Sequence, residues 1–375
     1  MLRRVALLTN FIPPYRLPLY KAIADRVPDF QVFISTPMEA NRSWSPNWDG
    51  LNVTVQKNLT LQRSWKHPHG FSENLYVHIP YDTLWSLRQY RPDVVISGEM
   101  GMRTAQALLY RKLNPNSRMI LWATVSEYSE LGRGKLREKL RQVLVPQADA
   151  LLVNGQSGAR YVRQFGVSDP SIFFAPYTTN IDPFLAVPLS RGPLDAYRLL
   201  YVGQLVERKG IEPFLSTLER WAKAHPDRTL EFWLVGEGPL RSRLEQQVWP
   251  SNLRLRFLGN VEYGKLPEVY AQGGIFAFPT LADEWGLVTN EAMAAGLPVL
   301  GSSYSQSVEE LVVEGETGWQ FRPDEPEEMY SALERSLSMS VAQLEQMRTK
   351  ARDRIQYLTP DFVADNILKA IESVC

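Results

Sequence analysis

The sequence predicts two doubly wound α/β domains in succession. Three observations predict it: a length of 375 residues, roughly two to three ordinary domains; short apolar runs alternating with helical periodicity in both halves; and a break in that alternation near Asp182-Pro183. In the first half, residues 4–8, 31–35, 93–97, 118–122 and 150–154 are apolar runs too short for helices, and they read as strands buried on both faces of a parallel sheet. Helical spacing recurs between them at 15–24, 83–90, 103–112 and 158–165. The stretch 41–69, rich in Trp, Asn, Pro and His, reads as loop with room for a strand or two. Residues 187–193 carry two prolines and little periodicity, as an inter-domain connection does. A second series follows: strands at 198–202, 231–235, 253–258, 275–279 and 298–300, with helices at 213–224, 240–247, 265–272 and 288–295. Residues 361–374 form a last amphipathic helix.

Composition narrows the class. Apolar residues make up 44% and charged residues 22%, which excludes disordered and fibrous chains. The longest apolar runs, such as Met119 to Ala123, fall far short of the roughly 18–20 residues that cross a bilayer. The start imitates a secretory leader, but Thr9 and Asn10 end its apolar run and Pro13-Pro14 follow, so it reads as a buried first strand. One cysteine, Cys375, excludes a disulfide framework and points to a cytoplasmic protein. Net charge is zero, yet residues up to 185 hold 22 Lys and Arg against 14 Asp and Glu, and the rest hold 19 against 27. The halves therefore either meet different partners or attract each other.

In open parallel sheets ligands gather outside the carboxyl ends of the strands, so the residues after each strand carry the chemistry. After Val202, the loop Gly203-Gln204-Leu205-Val206-Glu207-Arg208-Lys209-Gly210 sets two cations beside a helix start. It suits a diphosphate, and it equally suits a solvated basic turn. Gly236-Glu237-Gly238 after the next strand reads either as a second ligand loop or as a tight turn. Further on, Asp283 lies just before a helix opened by Gly286 and stopped by Gly296 and Pro298, and Glu291 lies two turns along it. The two acids fit sugar hydroxyls at two points of an elongated ligand, or a dipole-favoured acid and a surface Glu.

The segment from Leu281 to Val299 resembles the paired-acid signature of the family 4 retaining glycosyltransferases: two acids with seven residues between, within Glu-Gly-Phe-Gly-Leu and Glu-Ala-Met-Ala-x-Gly-x-Pro-Val. The likeness extends from Pro13-Pro14-Tyr15-Arg16 through the loops at Gly203, Gly236 and Gly259-Asn260 to Thr317-Gly318-Trp319 and the last helix. It implies the GT-B arrangement: two facing Rossmann-like domains, 1–185 for the acceptor and 196–356 for a nucleotide-sugar, with residues 357–375 crossing back to the first. It further implies that Glu291 binds the ribose, that Lys209 binds the diphosphate, and that Asp283 with the backbone of Trp285, Gly286 and Leu287 holds the sugar and phosphates. Gly203 lines that site, and residues 236–238 with Asn260 and Val261 border the base. Two positions depart from the pattern. Asp283 stands where the family has Glu, with Glu284 beside it, and Gln204 stands where it has Arg, leaving Arg208 to supply the missing contact.

The resemblance thus implies a retaining hexosyltransferase using a UDP- or GDP-sugar, with Lys209, Arg208 and Asp283 as its catalytic residues and no other cofactor. Charge building on the departing diphosphate would be met by cations and helix amides. The sequence holds no Asp-x-Asp, and its four histidines show no metal spacing, so no divalent ion is expected. On the acceptor side Tyr15, Arg16, Glu99 and Glu127 follow strands and read as ligand contacts or as plain surface. Residues 134–145 set Leu136, Leu140, Val143 and Leu144 on one helical face beside Lys135, Arg137, Lys139 and Arg141. That pattern fits peripheral contact with the inner membrane face and a lipid-linked acceptor, in surface polysaccharide or glycolipid assembly, or else an ordinary packed helix. Basic residues are not interleaved with aromatics, which argues against nucleic acid. Rival readings are a phosphorylase- or epimerase-type GT-B enzyme, and an inactive GT-B chain serving as a partner or sensor.

Overall fold

The computed structural model describes residues 3–39, 46–193 and 195–375. The chain divides into two compact units, one of Met1–Asn180 with Leu358–Cys375 and the other of Ile181–Tyr357. No helix among the described residues is long and apolar enough to cross a membrane.

In the first unit, β1 (Arg4–Thr9), β2 (Asp29–Ile34), β3 (Asn52–Val55), β6 (Val94–Ser97), β7 (Arg118–Ala123), β8 (Ala150–Val153) and β9 (Ile172–Phe174) form one parallel sheet, and β4 (Asn58–Lys66) pairs antiparallel with β5 (Ser72–Pro80) outside it. The sheet order is β3-β2-β1-β6-β7-β8-β9, so the chain reverses its direction of winding between β1 and β6. The central strands are buried throughout because helices cover both faces. The stretch expected to be mostly loop holds β3 and β4, while its residues 41–45 lie outside the described residues. The hairpin was hard to foresee because most of β4 is exposed and lacks a buried alternation.

The second unit repeats the plan with β10 (Leu199–Val202), β11 (Leu230–Val235), β12 (Leu253–Gly259), β13 (Ile275–Phe278), β14 (Val299–Ser302) and β15 (Gly318–Phe321), in the order β12-β11-β10-β13-β14-β15. Its aromatic core includes Trp221, Phe214, Phe232, Trp319 and Phe321. The connecting segment is not a free linker. Arg191 is buried and donates to the carbonyls of Gly273 at 2.9 Å, Tyr270 at 3.3 Å and Ala295 at 3.2 Å, fastening the segment to this unit.

Helix Pro360–Ser373 completes the first unit. Thr359 caps it by accepting from the Phe362 N–H at 3.2 Å, and Pro360 occupies its first turn, where no hydrogen bond is lost. Val363, Ala364, Ile367, Ala370 and Ile371 form its buried stripe, and the helix packs on Leu17–Arg26. Arg26 reaches Asp361 at 2.7 Å and Asp365 at 3.1 Å across the exposed seam. Exposed pairs contribute little, so the apolar stripe dominates. Ile367→Ala should therefore lower the unfolding free energy of the first unit by about 2–5 kcal/mol in denaturant titrations. Arg26→Ala should cost less than about 1 kcal/mol in the same experiment.

Candidate functional site

The carboxyl ends of β10 to β13 come together through their backbones. Gly203 N–H donates to the Val235 carbonyl at 2.9 Å, Leu205 N–H to Glu237 at 2.9 Å, and Gly236 N–H to Gly259 at 2.8 Å. Gly236 takes φ of 125°, and a Cβ there would lie 2.0 Å from the Gly203 carbonyl oxygen, so only glycine permits this approach. Gly210 plays the same part for the next pair of loops. Its φ is 65°, and a Cβ would lie 2.0 Å from the Pro279 carbonyl oxygen. With Leu281 N–H donating to Arg208 at 2.8 Å, the turn Glu207–Lys209 is clamped against the loop that carries Asp283.

That clamp creates an ion cluster. Lys209 Nζ lies 2.5 Å from Asp283 Oδ2, Arg208 Nη1 lies 3.4 Å from the same oxygen, and Arg208 Nη1 also donates to the Ala282 carbonyl at 3.0 Å. All three side chains are largely buried. Burial by itself would raise the Asp283 carboxyl, but Lys209, Arg208 and the Trp285 N–H outweigh it and hold the acid below its ordinary range. Two cations face one carboxylate, a grouping whose chemistry suits an anion.

Behind Asp283 stands helix Leu287–Ala294, which starts at Gly286 with φ of 101° and has no side-chain cap. The loop before it is pinned from below: Ser305 Oγ and the Ser307 N–H, the latter at 3.2 Å, donate to the Trp285 carbonyl, and Gln306 donates to the Glu284 carbonyl at 2.6 Å. The Trp285 indole is buried and donates to Asn290 at 2.9 Å. Helix Leu287–Ala294 is enclosed on nearly all sides, which makes Glu291 a buried acid, 5% exposed, and not a surface one. Tyr270 donates to its carboxylate at 3.0 Å, and Tyr263 also contacts it. Burial outweighs both phenols and pushes the Glu291 carboxyl up to about 7.

Asp283 and both cations are thus in contact, whereas Glu291 lies deeper with its two tyrosines. Glu237 forms an ion pair with Arg241, Gln204 and Asn260 are exposed, and Gly238 and Val261 lie at the same sheet edge. Tyr263, Tyr270 and Ser305 carry no signal in the local motif and emerge only from the fold. In the first unit the candidate residues follow β1, β6 and β7. Tyr15 stacks on Tyr177 at 5.8 Å, Glu99 lies 3.6 Å from Arg103, and Glu127 pairs with Arg160 at 2.7 Å. Arg16 is buried against Trp122 and Tyr177. Helix Lys135–Leu144 corrects the single-face reading. Leu144 is buried and Leu140 half-buried, while Leu136 and Val143 are 83% and 60% exposed. Arg141, expected on the rim, is buried in an ion pair with Glu130.

The raised Glu291 carboxyl fixes a sign. Its folded value lies above the ordinary 4.5, so its stabilising contribution is complete below pH 4.5 and is lost as pH rises through 7. Between pH 4.5 and 8 the parent chain should lose about 2–3 kcal/mol of unfolding free energy relative to Glu291→Gln, as read by denaturant titration at each pH.

The chain resembles known proteins in sequence and in fold. Residues 196–339 match the family model described as Glycosyl transferases group 1. Glycogen synthase of Mycobacterium tuberculosis is 26% identical over 296 residues, covering 76% of this chain and 69% of that protein. D-inositol 3-phosphate glycosyltransferase of Corynebacterium diphtheriae is 28% identical over 218 residues, covering 54% of this chain and 51% of that one. HepE of Anabaena, solved in complex with UDP, superposes with a TM-score of 0.72 at 16% identity over 99% of this chain and 100% of that one. The lipopolysaccharide outer core galactosyltransferase WaaB in its apo form gives 0.73 at 15% identity, with the same coverage. With the group 1 match falling on its second unit and the GT-B fold spanning its length, these likenesses support a family 4-like GT-B glycosyltransferase.

Proposed function

We propose that the chain is a retaining hexosyltransferase. Its second unit holds a UDP- or GDP-sugar, and its first receives a carbohydrate or lipid-linked acceptor in the assembly of a surface polysaccharide or glycolipid. The observation that carries this reading is the cluster of Lys209, Arg208 and Asp283 beside the uncapped start of Leu287–Ala294. As the anomeric bond stretches, negative charge gathers on the diphosphate, and Lys209 with Arg208 meets it. Asp283 keeps Lys209 in place and, with the amides after Gly286, orients the sugar. These cations serve where a divalent ion would otherwise neutralise the leaving group, and no such ion is required in this reading. The Glu291 carboxylate, held by Tyr263 and Tyr270, suits a ribose diol.

UDP and UDP-glucose occupy solved complexes of HepE, which favours a uridine donor. The resemblance to an outer core galactosyltransferase favours a surface-glycan acceptor. Exposed Leu136 and Val143 with exposed Lys135 and Lys139 support peripheral contact at the inner membrane face.

Lys209→Ala should lower kcat/KM for sugar transfer, or for slow donor hydrolysis, by about 10²–10³, the usual loss on removing one preorganised charge donor. NMR of the product should show the donor's anomeric configuration unchanged. Among uridine, guanosine and adenosine diphosphates, a matching one at 100 times its dissociation constant should stabilise the protein by about 2.7 kcal/mol. No stabilisation by any of them would remove the proposal, and hydrolysis surviving undiminished in Lys209→Ala would remove the assigned mechanism.

A further inference from the structure

The first unit contains a buried guanidinium that phenols surround and that no carboxylate among the described residues neutralises. Arg16 is 5% exposed, and its guanidinium lies 3.9 Å from the Tyr177 ring centroid and 4.5 Å from that of Trp122. Its Nη1 has no hydrogen-bond partner, and no carboxylate among the described residues pairs with it. Cation–π contact and a hydrogen bond with Tyr177 offset the lost hydration but leave the charge without a counter-ion.

A second guanidinium lies nearby. Arg103 is fully buried and donates through Nη2 to Asn10 at 2.9 Å and to Ser35, with Nε and Nη1 unpartnered. Its nearest carboxylate, Glu99, is 3.6 Å away. Both guanidinium charges act on the Tyr20 phenol. Two cations against one acid leave a net positive charge in this corner.

The corner lies where a ligand is expected. Arg16 follows β1 and Glu99 follows β6, the two strands between which the winding reverses. Arg16 also directly precedes helix Leu17–Arg26, whose start has no side-chain cap and no acid in its first turn. A guanidinium fork with a second arginine beside it matches a phosphate dianion better than a single carboxylate.

We propose that this corner binds a phosphate or diphosphate carried by the acceptor, with Arg16 as its anchor and Arg103 as supporting charge. Naming the ligand an acceptor rests on the glycosyltransferase reading above, while binding of the anion does not. A soluble sugar phosphate and a lipid-linked diphosphate share the recognised chemistry.

The test uses the full chain carrying Lys209→Ala and Arg208→Ala, which silences the diphosphate cations of the second unit. Inorganic pyrophosphate should still bind this chain in calorimetry, and adding Arg16→Met should weaken it at least tenfold. Arg16→Lys should retain part of the affinity. Because Arg16→Met removes a buried charge that has no counter-ion while keeping volume, its melting temperature should be no lower than the parent's. UDP binding to otherwise unaltered Arg16→Met reports that the second unit is intact. Glucose 1-phosphate, and phosphatidylcholine vesicles doped with a polyprenyl diphosphate, separate the two sources. Arg16-dependent binding of either supports the proposal and identifies the source. Absence of pyrophosphate binding, or binding that persists in Arg16→Met with a lowered melting temperature, would overturn it and make the guanidinium a packing element. If UDP still binds the parent in that case, only the anion corner falls; a parent that binds no nucleoside diphosphate overturns the donor reading instead.

Discussion

A carboxylate withdrawn from water between two cations organises the second unit. Asp283 keeps its charge despite burial because Lys209 and Arg208 approach it, and they approach because Gly210 lets its turn touch the Pro279 carbonyl. A side chain at residue 210 would collide with backbone, which cannot yield as a flexible side chain can. The electrostatics thus follow from a steric permission. The same relation holds at Gly236, where the absence of a Cβ lets two neighbouring loops share an edge.

The two acids in the paired motif have opposite environments. Asp283 is held ionised by cations, whereas burial favours the neutral form of Glu291 against the pull of its two phenols. Seven residues of sequence separate them, yet one meets charge and the other avoids it. Such a division lets one helix offer a fixed anion at its start and a hydrogen-bonding carboxyl further along.

Much of this was legible in the sequence because it is local. Strands such as Val94–Ser97 and Ile275–Phe278 are continuous apolar runs, and the glycines and cations of residues 203–210 sit within one loop. What escaped depends on distant partners. Glu291 could be read as surface because its helix shows its enclosure only when neighbouring elements surround it. Arg141 was read as a rim cation, but Glu130 and Tyr161 draw it inward and split the apparent apolar face of Lys135–Leu144. Short strands such as Ile172–Phe174 and Gly318–Phe321 owe their pairing to an existing sheet edge and have little periodicity of their own.

Helix Pro360–Ser373 belongs to the unit whose strands are made first, although the whole of Ile181–Tyr357 is synthesised before it. On the ribosome, the surface of Leu17–Arg26 that this helix covers must wait, uncovered, while the second sheet is translated. The domain begun earliest is thereby the last to be sealed, and the interval leaves an apolar groove open to holding factors or to wrong partners.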